Sequence, residues 1–416
     1  MTDQKKQQIP TDWKETTLGD VAEIIMGQSP DSESYNENCE GLPFYQGITE
    51  FGEKYVGIKT YTTQPTKIVE KNTVLFSVRA PVGKVNFVNW KCCIGRGNAG
   101  LRMKNGQQEF LFYLLKKIER NIQTFSSGTV FDSISGEELR NIEIVIPETD
   151  AEQRAIASVL SAFDDKIELL REQNKTLEAI AQTLFNRWFV EFNFPDENGQ
   201  PYRDSGGKMI DSELGEIPEG WRVGGLIEDG ISEFIKPGIN EFEGVKDYVE
   251  TANVNLSNFV GNFEKITYKE RPDRANIQPI ANSFYFARMA ESRKYLLFQE
   301  SDNHDIETKI LSTGFAGIRC VKEYLYFYWC FILSDAFNNL KDQLAEGAVQ
   351  IAISNRGIQK ISLVLPIEEI ARKFTEAIKP CFERISYNIS QIQTLSQLRD
   401  TLLPKLMRGE VRVKGF

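Results

Sequence analysis

The sequence predicts an α+β protein: two similar globular α+β regions joined by two long helices that pack as an antiparallel coiled coil. Two observations predict it. Residues recur in the same order at a nearly constant offset across the 416 positions, and each half ends in a long heptad pattern. No catalytic centre is recognisable.

The repeat comes first, because self-similarity decides the architecture. Ile9-Pro10 followed by Trp13 recurs as Ile217-Pro218 followed by Trp221, an offset of 208. Asn72, Phe76, Ala80 and Lys84 recur as Asn282, Phe286, Ala290 and Lys294, an offset of 210. Ala99-Gly100-Leu101-Arg102 recurs as Ala316-Gly317-Ile318-Arg319 at 217, and Gly128 and Pro147 as Gly347 and Pro366 at 219. Leu177, Thr183 and Leu184 recur as Leu395, Thr401 and Leu402 at 218. The offsets drift slowly while the order is kept, as loop insertions do to a duplicated module; chance matches would scatter.

The first mixed region spans 1–148 and its copy 217–367. Short β-branched and aromatic runs at 68–78 and 84–88, broken by Gly, Pro and Asn, predict strands. Helical patterns follow at 109–120 and 323–333. Between the halves, 194–216 is punctuated by Pro195, Gly199, Pro201, Gly206, Gly207 and Gly215, which predicts a linker.

The long helices occupy 149–193 and 368–416, the latter with the C-terminal tail. In the first, Ile156, Leu160, Phe163, Ile167, Leu170, Asn174, Leu177, Ala181, Leu184 and Trp188 alternate at spacings of 4 and 3. Phe374, Ile378, Cys381, Ile385, Asn388, Ile392, Leu395, Arg399, Leu402 and Leu406 repeat that alternation in the second. This is the 3.5-residue period of a coiled coil. A helix of 40 residues is about 60 Å long, so an antiparallel pair would set two globular parts at opposite ends of a rod. Each seam holds one asparagine, Asn174 and Asn388: either the two lie near each other across the antiparallel pair and fix the register, or each faces solvent at a loose point in the seam.

Composition excludes several classes. Apolar residues make up 41% and charged residues 26%, which is globular rather than disordered. The segment 1–8 is polar with Lys5 and Lys6, and no apolar stretch follows, so no signal peptide is expected. The longest apolar run, 324–333, is too short to span a bilayer and predicts a buried helix. A soluble, cytoplasmic protein is expected. Cys39, Cys92, Cys93, Cys320, Cys330 and Cys381 form no CxxC pair and His304 is the only histidine, so free thiols and no metal site are expected.

The net charge of −10 argues against nucleic acid only until its distribution is read. Residues 67–104 hold eight basic side chains against Glu70 alone, a local +7; residues 265–294 hold seven against three acidic ones, a local +4. Basic segments at equivalent places of a repeat suggest two faces that neutralise phosphates. Arg can grip guanine edges bidentately, and Gln or Asn can read adenine. The candidate DNA-binding residues are Gln46, Lys67, Arg79, Lys84, Arg96 and Arg102 in the first half. In the second they are Asn253, Arg271, Arg274, Arg288, Arg293 and Lys294.

Equipment for chemistry on DNA is missing. There is no GxxxxGK[ST] phosphate loop, no glycine-rich dinucleotide loop and no Asn-Pro-Pro-aromatic segment. Pro147-Glu148 with Asp164-Asp165-Lys166 imitates a nuclease set, but Asp164 and Lys166 point to different faces of a helix.

The residues resemble the specificity (S) subunit of Type I restriction-modification systems over nearly the whole chain. Ile9-Pro10 to Trp13, continuing to Leu18-Gly19-Asp20-Val21, resembles the start of a target recognition domain, and Ile217-Pro218-Glu219-Gly220-Trp221 resembles the start of a second. Pro147 with Glu152-Gln153-Arg154-Ala155-Ile156-Ala157 resembles the first spacer helix, and Phe194-Pro195-Asp196-Glu197-Asn198-Gly199 the central linker. Leu402-Leu403-Pro404-Lys405-Leu406, then Gly409-Glu410-Val411, resembles the C-terminal end. The second half departs at Ala371-Arg372-Lys373, where the first has Glu152-Gln153-Arg154. The resemblance implies that each recognition domain reads one half of a bipartite site in double-stranded DNA and that the helices set the unread gap. It implies two modification (methyltransferase) subunits docked on the helices, and restriction (motor-nuclease) subunits joining that core. S-adenosylmethionine, ATP and Mg²⁺ would then sit on those partners, with no cofactor on this chain. A stand-alone DNA methyltransferase or nuclease, and a protein scaffold without a DNA role, are the other readings.

Overall fold

The structure, a computed structural model, describes residues 10–125, 133–347 and 351–414. Ile9, Gly128 and the segment 1–8 lie outside the described residues. The chain divides into two compact units: Met1–Leu170 with Ser390–Phe416, and Arg171–Ile389. Each unit therefore takes part of both long helices.

The principal elements of the first unit are β1 (Trp13–Thr17), β2 (Ala22–Met26), β3 (Leu42–Tyr45), β4 (Ile68–Val69), β5 (Thr73–Ser77), β6 (Val85–Val88), β7 (Cys92–Ile94), β8 (Asn98–Met103), α1 (Gln108–Phe125), β9 (Glu143–Pro147) and the first part of α2 (Asp150–Phe185). Strands β2, β8, β5 and β6 form an antiparallel sheet in that order, and β1 pairs with β9. A second sheet runs Tyr35–Asn36, Tyr61–Thr62, β3, β7, β4, with β3 and β7 parallel. Strand β5 is buried at all five positions, and its centre, Val74-Leu75-Phe76, is apolar without alternation.

The second unit repeats this plan with β10 (Arg222–Gly225), β11 (Ser232–Phe234), β12 (Lys246–Val249), β13 (Ala275–Ile277), β14 (Ser283–Ala287), β15 (Tyr295–Phe298), β16 (Lys309–Ser312), β17 (Phe315–Cys320), α3 (Leu325–Leu333), β18 (Ser362–Leu365) and the first part of α4 (Glu368–Leu406). The sheet order β11-β17-β14-β15, the pair β10 with β18 and the parallel pair β12 with β16 match their counterparts one for one. Repeated residues have repeated jobs. Trp13 N–H donates to Pro10 O at 3.0 Å, and Trp221 N–H to Pro218 O at 3.0 Å. Asn72 and Asn282 both turn into the central strand with positive φ, 61° and 55°, a left-handed conformation that asparagine tolerates better than most residues.

The long helices run 36 and 39 residues, and α2 ends in a π-helical turn, Asn186–Val190. Thr149 starts α2 by accepting from the Glu152 N–H at 3.3 Å, and Asp150 and Glu152 complement the helix dipole. In the first unit Ile156, Leu160, Leu403, Leu406 and Met407 share a core with Trp13, Phe76 and the α1 run Phe110–Leu115. In the second, Phe374 packs against Phe185, Trp188 and Phe189 with ring centroids 6.3, 5.6 and 4.8 Å apart. Helix α3 is buried at eight of its nine positions, as the apolar run 324–333 predicts.

The structure corrects two expectations. Phe163 is only half-buried, and its neighbour Asp164 takes the seam, 9% exposed. Asp164 accepts from Arg399 Nη1 at 2.6 Å and from the Tyr113 hydroxyl at 2.5 Å, so a charged pair replaces the apolar knob. The stretch 194–216 is not only a linker: Phe194 stacks on Tyr202 and Trp221, and Met209–Ser212 forms a hairpin with Gly215–Pro218.

Candidate nucleic-acid interface

In the first unit, five chain segments meet at the carboxyl ends of the parallel strands β3 and β7. Gln46 follows β3, and Gly95-Arg96-Gly97 follows β7. Gly95 N–H donates to Tyr45 O at 2.9 Å, and a Cβ on Gly97 would lie 2.3 Å from Gln46 O, so only glycine lets these loops touch. Buried Asn98 donates through Nδ2 to Tyr45 O at 3.1 Å and Gly47 O at 2.8 Å, which locks the Gln46 loop. Ser29 Oγ donates to Gln46 Oε1 at 2.8 Å and accepts from the Arg96 N–H at 3.2 Å. Val78 N–H donates to Gly97 O at 2.9 Å, which brings Arg79 to the same rim, and Ile94 N–H donates to Lys67 O at 2.9 Å, which adds Lys67.

Gln46, Lys67, Arg79 and Arg96 are thus assembled on one rim, all exposed. Among the described residues none of the three cations there has an ion-pair partner. Arg102 is also exposed but lies farther along β8, in register with Glu23 of β2. Lys84 is held elsewhere: its Nζ sits 2.8 Å from Glu119, whose side chain is almost buried. Ser29 and Asn98, which orient the rim, escape sequence reading because a serine and an asparagine carry no charge pattern.

The second unit uses the same frame differently. Arg288 donates to Phe315 O, Ile353 O and Asn355 Oδ1, and burial lowers its guanidinium pKa. Arg293 grips Asp342 with both terminal nitrogens, at 2.6 and 3.3 Å. Lys294 Nζ donates to Thr251 O at 2.6 Å, Asn253 to Asn262 O at 3.2 Å, and Arg271 to Tyr268 O while stacking over the Tyr268 ring at 4.3 Å. Only Arg274, of the six residues singled out in this half, is exposed without such a partner among the described residues.

The equivalent rim is found by hydrogen bonds instead of charge. Arg288 N–H donates to Gly314 O at 3.0 Å as Val78 does to Gly97, and Met289 bridges Ala352 as Arg79 bridges Ser133. Pairing Phe44 with Cys93 and Tyr248 with Ile310 equates Gln46 with Glu250 and Arg96 with Thr313. The second rim therefore carries Glu250, Met289 and Thr313, with Arg274 beside them through the Thr313 N–H to Arg274 O bond at 2.9 Å.

Elsewhere, the groups expected to do no chemistry sit in inert surroundings. Burial pushes the Cys92, Cys320 and Cys330 thiols up, away from thiolate. Among the described residues no group of three or more His, Cys, Asp or Glu is placed to hold a metal, and no helix is long and apolar enough to cross a membrane.

Residues 10–179 match the family model described as the Type I restriction modification DNA specificity domain. The type I restriction enzyme MjaIX specificity subunit of Methanocaldococcus jannaschii is 28% identical over 434 residues, covering 98% of this chain and 95% of the relative. The HindI specificity subunit of Haemophilus influenzae is 24% identical and covers 96% of this chain and all of the relative. A further M. jannaschii chain, named for the MjaX specificity subunit, is 43% identical over 183 residues and spans 43% of either chain. The crystal structure of a Type-I restriction-modification S subunit from M. genitalium superposes with a TM-score of 0.56 over 97% of both chains at 16% identity, a likeness of fold. Over nearly its whole length the chain is similar to specificity subunits of Type I restriction-modification systems.

Proposed function

We propose that this chain is the DNA-reading subunit of a restriction-modification complex. Each unit reads one half of a bipartite, asymmetric site in double-stranded DNA. The observation that carries the reading is one backbone frame built twice, with different side chains at its rim: exposed Gln46, Arg79 and Arg96 against exposed Glu250 and Met289 and half-buried Thr313. A duplicated frame gives two readers; unlike rims give two different half-sites. Exposed cations at the first rim supply the phosphate attraction that an acidic chain otherwise lacks.

Helices α2 and α4 pack as an antiparallel pair that sets the gap between half-sites, and their outer faces dock two modification subunits. Restriction subunits join through that core. S-adenosylmethionine, ATP and Mg²⁺ belong to those partners, which methylate adenine after extruding it from the duplex. This chain chooses where they act. The test is to incubate the purified chain, with and without modification subunits, with duplex DNA and S-adenosylmethionine. Methyl transfer should need both, at a two-part sequence. Methylation or cleavage by the chain alone would favour a stand-alone enzyme. Absence of any salt-dependent DNA binding by the complex would favour a protein scaffold.

A further inference from the structure

The two rims differ in a way that has chemical meaning. At three equivalent positions the first unit offers Gln46, Arg79 and Arg96, and the second offers Glu250, Met289 and Thr313. Beside each rim one exposed cation is kept, Lys67 and Arg274. A kept cation suits the phosphates, which are the same on any sequence; changed residues suit the bases, which are not. Arginine pairs bidentately with guanine O6 and N7, a carboxylate accepts from the cytosine N4 amino group, and an apolar side chain meets the thymine methyl. Ser29 occupies the Oε1 of exposed Gln46, which leaves the amide NH₂ as the group that can donate to a base acceptor.

We infer that positions 46, 79 and 96 and their counterparts 250, 289 and 313 determine the bases read. In this assignment the first half-site is anchored on guanine through Arg79 and Arg96, and the second on cytosine through Glu250. The inference rests on the DNA-reading role proposed above. It replaces Arg288, Arg293 and Asn253, which the sequence singled out, with residues whose side chains stand at the rim.

The experiment uses the full chain with its modification subunits and a library of duplexes randomised in both half-sites. Wild type should select guanine in the first half-site, and 7-deazaguanine there, which lacks the N7 acceptor, should weaken binding roughly tenfold or more. The same replacement in the second half-site should have little effect. Arg96→Lys and Arg79→Lys keep the charge but lose the fork, and should relax the first half-site while the second is still selected, which also shows that the variants are folded. Glu250→Gln should change the second half-site alone. A two-part site selected by wild type but tolerant of 7-deazaguanine, or unchanged in these variants, would overturn the inference alone. Selection of no two-part site by wild type would overturn it together with the DNA-reading role.

Discussion

Asn388 donates through Nδ2 to Asn174 Oδ1 at 2.8 Å, with both side chains buried between α2 and α4 in the second unit. The two asparagines meet among apolar neighbours of the seam and can pair only in one register, and that is the physical use of the pair. Asn388→Leu alone strands the Asn174 amide and is expected to cost about 1–3 kcal/mol. Replacing both by Leu is expected to be near neutral or stabilising, with register less well fixed. Urea midpoints of the two singles and the double form the cycle; a stabilising single variant would contradict the pairing.

Lysine 341 gives a pH signature. Its side chain is fully buried, with Nζ donating to Met289 O and Ser292 O, 3.7 Å from Asp342. Burial lowers its pKa from 10.5 to about 8. The folded chain therefore binds fewer protons than the unfolded chain between those values, so this group makes stability rise with pH through that window. Below about pH 8 it is charged in both states and its contribution is a flat penalty. Wild type should gain on the order of 3 kcal/mol relative to Lys341→Met between pH 8 and 10.5. Parallel stability curves for the two proteins would refute this.

Lys67 and Lys84 are both basic residues of the same segment, yet they should behave oppositely. Lys84→Ala removes one partner of nearly buried Glu119, which keeps Lys116 at 3.2 Å, and should lower the unfolding midpoint while leaving DNA affinity little changed. Lys67→Ala should leave stability unchanged and lower the slope of log K against log salt by about 1. Titrations at several salt concentrations separate the two, and a Lys84 effect confined to DNA binding would contradict the geometry.

Much of the fold was legible in the sequence because the duplicated residues are the ones the backbone needs. Asn72 and Asn282 hold left-handed turns, and Trp13 and Trp221 close the same turn after a proline. The interface was less legible. Counting charge cannot tell an arginine that braces a loop from one that faces solvent, so Arg288, Arg293 and Lys294 looked equal to Arg96. Heptad reading prefers apolar residues, so it chose Phe163 over Asp164, whose partner Arg399 lies 235 residues away.

The spacing role of the helices can be tested by length. Seven residues inserted beside Lys175 in α2, with seven at the facing place near Tyr387 in α4, preserve the heptad phase and add about 10 Å. The gap between half-sites should widen by about three base pairs, with both half-site sequences unchanged. Altered half-sites would mean that the helices do not act as a spacer.

The central claim, one frame used twice to read two different half-sites, is tested most directly by mapping methylated bases across the genome of cells expressing this chain with its modification subunits. The account predicts methylated adenines in a two-part, asymmetric sequence with a fixed unread gap, all lost when the chain is deleted. Methylation of a single continuous sequence, or methylation that persists without the chain, would contradict it.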